Sequence, residues 1–328
     1  MRRLRTGFTV YLCVFFIAAC ALMGVVALGK TDTVLDVAAQ GIPEGEEITR
    51  YALTEKGADL IAELPSDAHR EDVTFENHYL TDTVRVRIRT KDLSFYASHP
   101  VSCDVSKVVR ASYETATDAD GEDALLLVFR TDRLYEPSCV LENGTLRILF
   151  AQPSDKYDRI VVIDPAVAGT EADAALILAE KIREIADQSP DGVRIYVTRT
   201  SGEETQPQET ASFVQRSHAT RYLRLILTPG ESPLQAAASF NDAFYINGYG
   251  NAAFAYDLLS AVYAEGFAAR EITTEASADP VLSVLRIPAA QLTIDGIRGT
   301  AGESELLLGD TAQALYDQIV ESYGHEEQ

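Results

Sequence analysis

The chain has 328 residues, of which 28 are Lys or Arg and 50 are Asp or Glu, giving a formal net charge of -22. That balance excludes a nucleic-acid binder, which needs basic surface to displace counterions from phosphates, and it works against docking on anionic lipid. The length is ample for two domains with buried cores.

The amino terminus departs from the acidic balance. Arg2, Arg3 and Arg5 precede an uncharged run over residues 6–29, long enough to cross a bilayer as a helix. The arginines stay on the cytoplasmic side. Residues 1–30 therefore read as a cytoplasmic tip and a single-pass transmembrane anchor, with the rest of the chain outside the cytoplasmic membrane. Two alternatives stand beside this one. A cleaved signal peptide has a shorter apolar centre. Ile17-Ala18-Ala19-Cys20 resembles a lipoprotein processing box, although the run stays apolar through Leu28.

Residues 31–70 are polar and acidic, with Gly41-Ile42-Pro43-Glu44-Gly45-Glu46-Glu47 in the middle. They read as a linker holding the domains off the membrane, with a short helix over 58–63. Residues 71–153 read as a small all-β module. Val84, Val86 and Ile88 alternate with Arg85, Arg87 and Arg89, the period-two pattern of a half-buried strand. Residues 124–129 and 146–150 are short apolar runs, and Asp118-Ala119-Asp120-Gly121 and Glu142-Asn143-Gly144 supply turns. Cys13 and Cys20 fall in the anchor, and Cys103 and Cys139 in the exported part. An oxidising compartment lets the latter two pair as a disulfide; two separate buried thiols are the alternative.

From residue 158 the pattern changes to alternating strands and helices. Strands are expected over 160–163, 193–197, 223–227 and 292–297, and another over 243–246. Helices are expected over 171–188, 254–263 and 304–323. Ala175, Leu178, Ile182 and Ile185 make one face of the first helix. Such alternation builds an α/β domain with a mostly parallel sheet flanked by helices.

The segment Arg159-Ile160-Val161-Val162-Ile163-Asp164-Pro165-Ala166-Val167-Ala168-Gly169 resembles the opening strand and metal loop of the zinc-dependent N-acetylmuramoyl-L-alanine amidases. In that family the strand ends Asp-Pro-Gly-His-Gly-Gly, and the His binds zinc. Thr198-Arg199 also resembles the family's strand end, and the likeness spans residues 158–324. It implies an amidase-like domain. The preceding module, by order and pattern, resembles the AMIN domains that localise envelope proteins; an unrelated β-sandwich is the alternative.

The resemblance also implies a site. The family's ligands are His, Glu and His, leaving one position for a water whose pKa the metal lowers, and a second Glu moves the proton. The first His position falls on Val167. The ligand Glu falls on Glu171, in Glu171-Ala172-Asp173-Ala174-Ala175-Leu176, where an acid in a helix's first turn has its own structural reason. The second His position falls on Thr228, in Ile226-Leu227-Thr228-Pro229-Gly230. The catalytic Glu falls on Thr293 or Ile294, with Asp295 the nearest acid. Glu305 resembles a later, structural Glu. His218 lies ahead of the relevant strand and reads as a solvated or helix-end residue. Glu171 is thus a vestigial ligand position, Val167 and Thr228 are lost ones, and Asp164, Glu171 and Asp295 would mark the old cleft.

No Cys/His cluster has zinc-site spacing, and neither a phosphate loop nor a Gly-x-Ser-x-Gly elbow occurs. Catalytic residues and a cofactor are therefore not expected. The leading expectation is a membrane-anchored, catalytically inactive amidase-like protein of the cell envelope that binds peptidoglycan or a wall-remodelling or division protein. An active amidase with a displaced site, needing zinc, and a structural component of an envelope complex are the alternatives.

Overall fold

The computed structural model describes residues 45–117, 120–167, 173–202, 205–230, 233–243, 248–274, 279–297 and 302–325. The anchor expected over residues 1–30, Cys13, Cys20, Asp118, Ala119 and Glu171 lie outside them. Among the described residues, no helix is long and apolar enough to cross a membrane.

Two five-stranded sheets face each other in the β-module. The first runs β1 (Glu46–Glu47), β7 (Val108–Thr117), β8 (Asp123–Thr131), β5 (Thr83–Arg89), β4 (Val73–His78). The second runs β2 (Arg50–Ala52), β6 (Val101–Cys103), β3 (Leu60–Glu63), β10 (Thr145–Ala151), β9 (Glu136–Glu142). Alternation decides which side chains enter the space between them. Val84, Val86 and Ile88 meet Leu125, Leu127, Phe129, Leu60, Leu146 and Ile148 in one core, each such side chain contributing roughly 1.5–3 kcal/mol on burial. The β9–β10 hairpin turns on Asn143 and Gly144, both at positive φ, as a tight two-residue hairpin requires.

Three expectations for this region are corrected. The acidic segment through residue 70 is not all linker, because β1, β2 and β3 lie within it. The expected helix over 58–63 contains the strand β3: Ala58, Leu60, Ala62 and Leu64 are all buried, a spacing of two that suits a strand and not a helix. The Cys103–Cys139 disulfide is excluded, and both thiols are free. They lie in one row of the second sheet, Cys103 beside Leu60, Leu60 beside Ile148, Ile148 beside Cys139. Three strand spacings amount to about 14 Å, roughly twice what a disulfide can span.

After a four-residue helix, α1 (Pro153–Lys156), the chain enters a six-stranded sheet. Its order is β12 (Val193–Val197), β11 (Arg159–Pro165), β13 (Arg221–Pro229), β16 (Ala289–Ile297), β14 (Gln235–Phe240), β15 (Ala268–Thr274). The sheet is mixed, where a mostly parallel one was expected. β14 runs antiparallel to β16, and the other neighbouring pairs are parallel. The connection from β13 to β14 is too short for the crossover that a parallel strand needs, so β14 runs back. Helices α2 (Ala174–Gln188), α4 (Asn251–Ala264) and α5 (Glu303–Gly324) cover one face. Helix α3 (Pro207–Arg216) and apolar residues of 281–287 cover part of the other. β14, β15 and α3 were not expected, and the strand expected over 243–246 falls mostly outside the described residues, with Ala243 in a bend.

The β-module and the α/β domain belong to one compact unit, Glu46–Gln328. Tyr79 and Leu134 of the module enter a core with Ile160, Val162, Tyr196, Phe213 and Tyr222. The Tyr79 hydroxyl donates to the Val197 carbonyl and accepts from the Val197 N–H, each at 3.1 Å. Val197 belongs to edge strand β12, so this hydroxyl satisfies backbone groups that have no strand beside them. Glu136 is buried at the same junction, accepting from Arg194 at 2.8 Å and from the Tyr196 hydroxyl at 2.6 Å. Arg216 reaches back to Asp82 at 2.6 Å. Tyr79→Phe leaves two buried backbone groups unpaired and is expected to lower the unfolding free energy by about 1–3 kcal/mol. Urea denaturation followed by circular dichroism checks this; an unchanged midpoint would show that water replaces the hydroxyl.

Candidate functional site

β11 carries Ile160, Val161, Val162 and Ile163 into the core and ends on Asp164 and Pro165. Asp164 is only 3% exposed. One of its oxygens accepts from the Thr198 hydroxyl at 2.5 Å. The other accepts from the Tyr222 hydroxyl at 2.8 Å and from Arg224 at 3.0 Å. Arg224 also approaches Asp279 at 3.4 Å, and Asp279 caps the following turn through the N–H groups of Val281 and Leu282. Burial, followed by the nearby carboxylates of Asp164 and Asp279, pushes the Tyr222 phenol well above its ordinary range, so it remains a neutral donor. The carboxylate at the end of the first strand is therefore committed to protein donors, one of them cationic.

A buried arginine, Arg199, joins the end of β11 to the start of α2. Arg199, 3% exposed, donates to the carbonyls of Pro165 at 2.6 Å, Ala166 at 3.3 Å and Ser201 at 2.6 Å. It also grips both oxygens of Asp173. Asp173 caps α2 by accepting from the Leu176 N–H at 3.1 Å, the role expected of an N-cap acid. Arg199 thereby ties the residues just before Val167 to the start of α2.

Of the positions singled out in the sequence, Asp164, Thr228, Thr293 and Asp295 lie on one sheet face. The alternate residues Ile163, Leu223, Leu225, Leu227, Leu292 and Ile294 point into the helix-covered core. Asp164, Arg224, Thr228, Thr293 and Asp295 consequently share the opposite face. Val167 is 37% exposed, and Thr228 is exposed near the end of β13. Asp295 pairs with Arg270 at 3.1 Å. It stands level with Thr228, four residues beyond Arg224, the neighbour of Asp164. That is about 13 Å along the strands, so Asp164 and Asp295 are not brought together as one cleft. His218 is exposed at positive φ just past α3. Glu305 is exposed in the first turn of α5, where its charge suits the helix dipole.

These residues do not fit a zinc ion. Val167 offers hydrocarbon, Thr228 a neutral hydroxyl, and Asp164 is held by three donors, one of them a guanidinium. Among the described residues, no group of three or more His, Cys, Asp or Glu could hold a metal. The sequence reading missed Arg224 and Tyr222. Their signal was a charged residue inside the otherwise apolar Leu223-Arg224-Leu225, since an arginine in a buried strand needs a partner.

No family model matches the chain, and no curated protein matches it. Solved structures similar to it include the catalytic domain of CwlV, an N-acetylmuramoyl-L-alanine amidase from Bacillus (Paenibacillus) polymyxa var. colistinus. That likeness has 18% identity and a TM-score of 0.42, over 51% of this chain and 99% of the other. An N-acetylmuramoyl-L-alanine amidase from Clostridium difficile 630 shows 16% identity and a TM-score of 0.43, over 51% and 97%. The CwlD amidase from Clostridioides difficile, in complex with the GerS lipoprotein, shows 13% and 0.38, over 51% and 99%.

The Arg199–Asp173 contact sets a pH dependence. Burial alone would raise the Asp173 pKa, but hydrogen bonds from Arg199 and Leu176 and the guanidinium charge hold it below the ordinary carboxylate value. A folded-state pKa below the unfolded one stabilises the fold above the unfolded value, about 3.9, and that stabilisation fades as pH falls through the folded value. Asp173→Asn should therefore lower the urea midpoint by a constant amount from neutral pH to about pH 5, with the difference shrinking in more acid solution. A difference that does not change with pH would assign the effect to capping alone.

Proposed function

We propose that this protein is a membrane-tethered, catalytically inactive relative of the N-acetylmuramoyl-L-alanine amidases. It binds peptidoglycan or a wall-remodelling partner outside the cytoplasmic membrane. The reading rests on the strand and turn ending in Asp164-Pro165, followed by substitution of the metal-binding positions. Val167 and Thr228 stand where two imidazoles are needed, beyond β11 and near the end of β13, which are neighbouring strands. The observation that carries it is the Asp164–Arg224 ion pair. A half-buried guanidinium at the base of this face disfavours a divalent cation by charge, and it takes up the carboxylate that ends the first strand.

Amide hydrolysis near neutral pH needs an activated water, which the family's zinc supplies, and a positioned acid–base group, typically contributing about 10²–10⁴-fold. Thr293 and Ile294 provide neither, and Ile294 faces the helix-covered core. The anchor at residues 1–30 places the domains on the outer face of the membrane.

Purified protein is expected to release no stem peptide from glycan strands, with or without added zinc, and Glu171→Ala is expected to change nothing. Muropeptide pull-down is expected to retain the protein. Zinc-dependent release would restore the active-amidase reading, and failure to retain muropeptides would favour a structural role. The double variant Val167→His, Thr228→His should raise zinc affinity measured by equilibrium dialysis; unchanged affinity would show that the two positions do not face a common point.

A further inference from the structure

The outer face of the first β-module sheet carries a row of arginines in an otherwise acid-rich chain. On β5, Val84, Val86 and Ile88 point inward, which sends Arg85, Arg87 and Arg89 outward. Arg85 and Arg87 lie level with Val128 and Leu126 of β8, both buried, so their stems rest on apolar surface. Arg87 donates to the Thr117 carbonyl at 2.9 Å, and among the described residues no carboxylate pairs with it. The Nε of Arg85, on the same face, is buried without a hydrogen-bond partner. Beside them runs a groove of about 550 Å³ lined by Glu71, Asp72, Glu76, Arg87, Arg89 and Asp120 together with two threonines. That volume lies within the roughly 300–1,000 Å³ of small-molecule sites.

The charges sit on separate elements. Glu71 and Asp72 belong to the turn before β4, and Glu76 to β4 itself, the edge strand beside the arginine row. Arg89 reaches Asp120 at 3.3 Å, but both side chains are exposed, and such pairs exchange readily. With four acids around two arginines, a plain anion meets repulsion from the rim and a plain cation meets it from the arginines. A ligand bearing both charges meets neither.

We propose that this groove binds a short zwitterionic peptide whole, its terminal carboxylate on Arg87 and Arg89 and its terminal ammonium against Glu71 and Glu76. The site is independent of the fate of the α/β face. Full-length protein in detergent is titrated with the dipeptide alanyl-alanine, its amino-acetylated form, its carboxyl-amidated form and inorganic phosphate, with binding followed by saturation-transfer NMR. The uncapped dipeptide should bind, and capping either end should weaken binding about tenfold or more, the loss of one charge-assisted contact. Arg87→Gln should weaken it by a similar factor, Arg87→Lys by less, and Glu71→Gln should remove the penalty for acetylation. Thermal melting reports whether each variant folds, and the exposed Glu71→Gln carries the test should Arg87→Gln fail to fold. Wild-type protein that binds no dipeptide, capped forms that bind as well as the uncapped one, phosphate that competes equally, or a folded Arg87→Gln variant with unchanged affinity would each overturn the proposal.

Discussion

A carboxylate at the end of a central strand has to be neutralised once it is buried, and much of the α/β domain is arranged around that requirement. An isolated buried charge is too costly to keep, so it needs both a counter-charge and enough hydrogen bonds to fill its lone pairs. Asp164 receives them from three directions: Thr198 following β12, Tyr222 and Arg224 on β13. Arg224 extends the network to Asp279 and the turn that packs over the sheet. Removing one partner would strand the others, so these segments hold their places together.

The same logic appears where the two halves meet. Glu136 brings a second carboxylate into the interior, and Arg194 and Tyr196 answer it. The aromatic rings of Tyr79, Tyr196 and Phe213 pack edge-on or tilted around that pair, a geometry that suits the ring quadrupoles. Polar contacts set the register of the junction, and apolar burial in the same cluster supplies most of its stability.

Much of this was legible from periodicity. The strands β11, β12, β13 and β16 and the helices α2, α4 and α5 announce themselves by apolar runs or a 3.6-residue stripe. β14 and β15 do not, because Gln235–Phe240 and Ala268–Thr274 are built largely from alanine and polar residues, which carry little strand preference; their places depend on β16 as a partner. β3 was hidden by its acidic neighbours, although Ala58, Leu60, Ala62 and Leu64 kept the spacing of a strand. At the candidate site, that Val167 and Thr228 offer no imidazole could be read from residue type alone. The ion pair taking up Asp164 could not, since Arg224 lies sixty residues away and only the register of β11 against β13 makes them neighbours.

Tyr79 has a bearing on how such a chain can be inherited. Its hydroxyl finishes the hydrogen bonding of a strand that belongs to the other half of the molecule. An α/β half excised at the short link after β10 would present β12 as a raw edge beside an uncovered patch of Tyr196 and Phe213, an invitation to stick to its own kind. The hydroxyl of one tyrosine thus makes the two halves a matched pair, each covering what the other leaves bare.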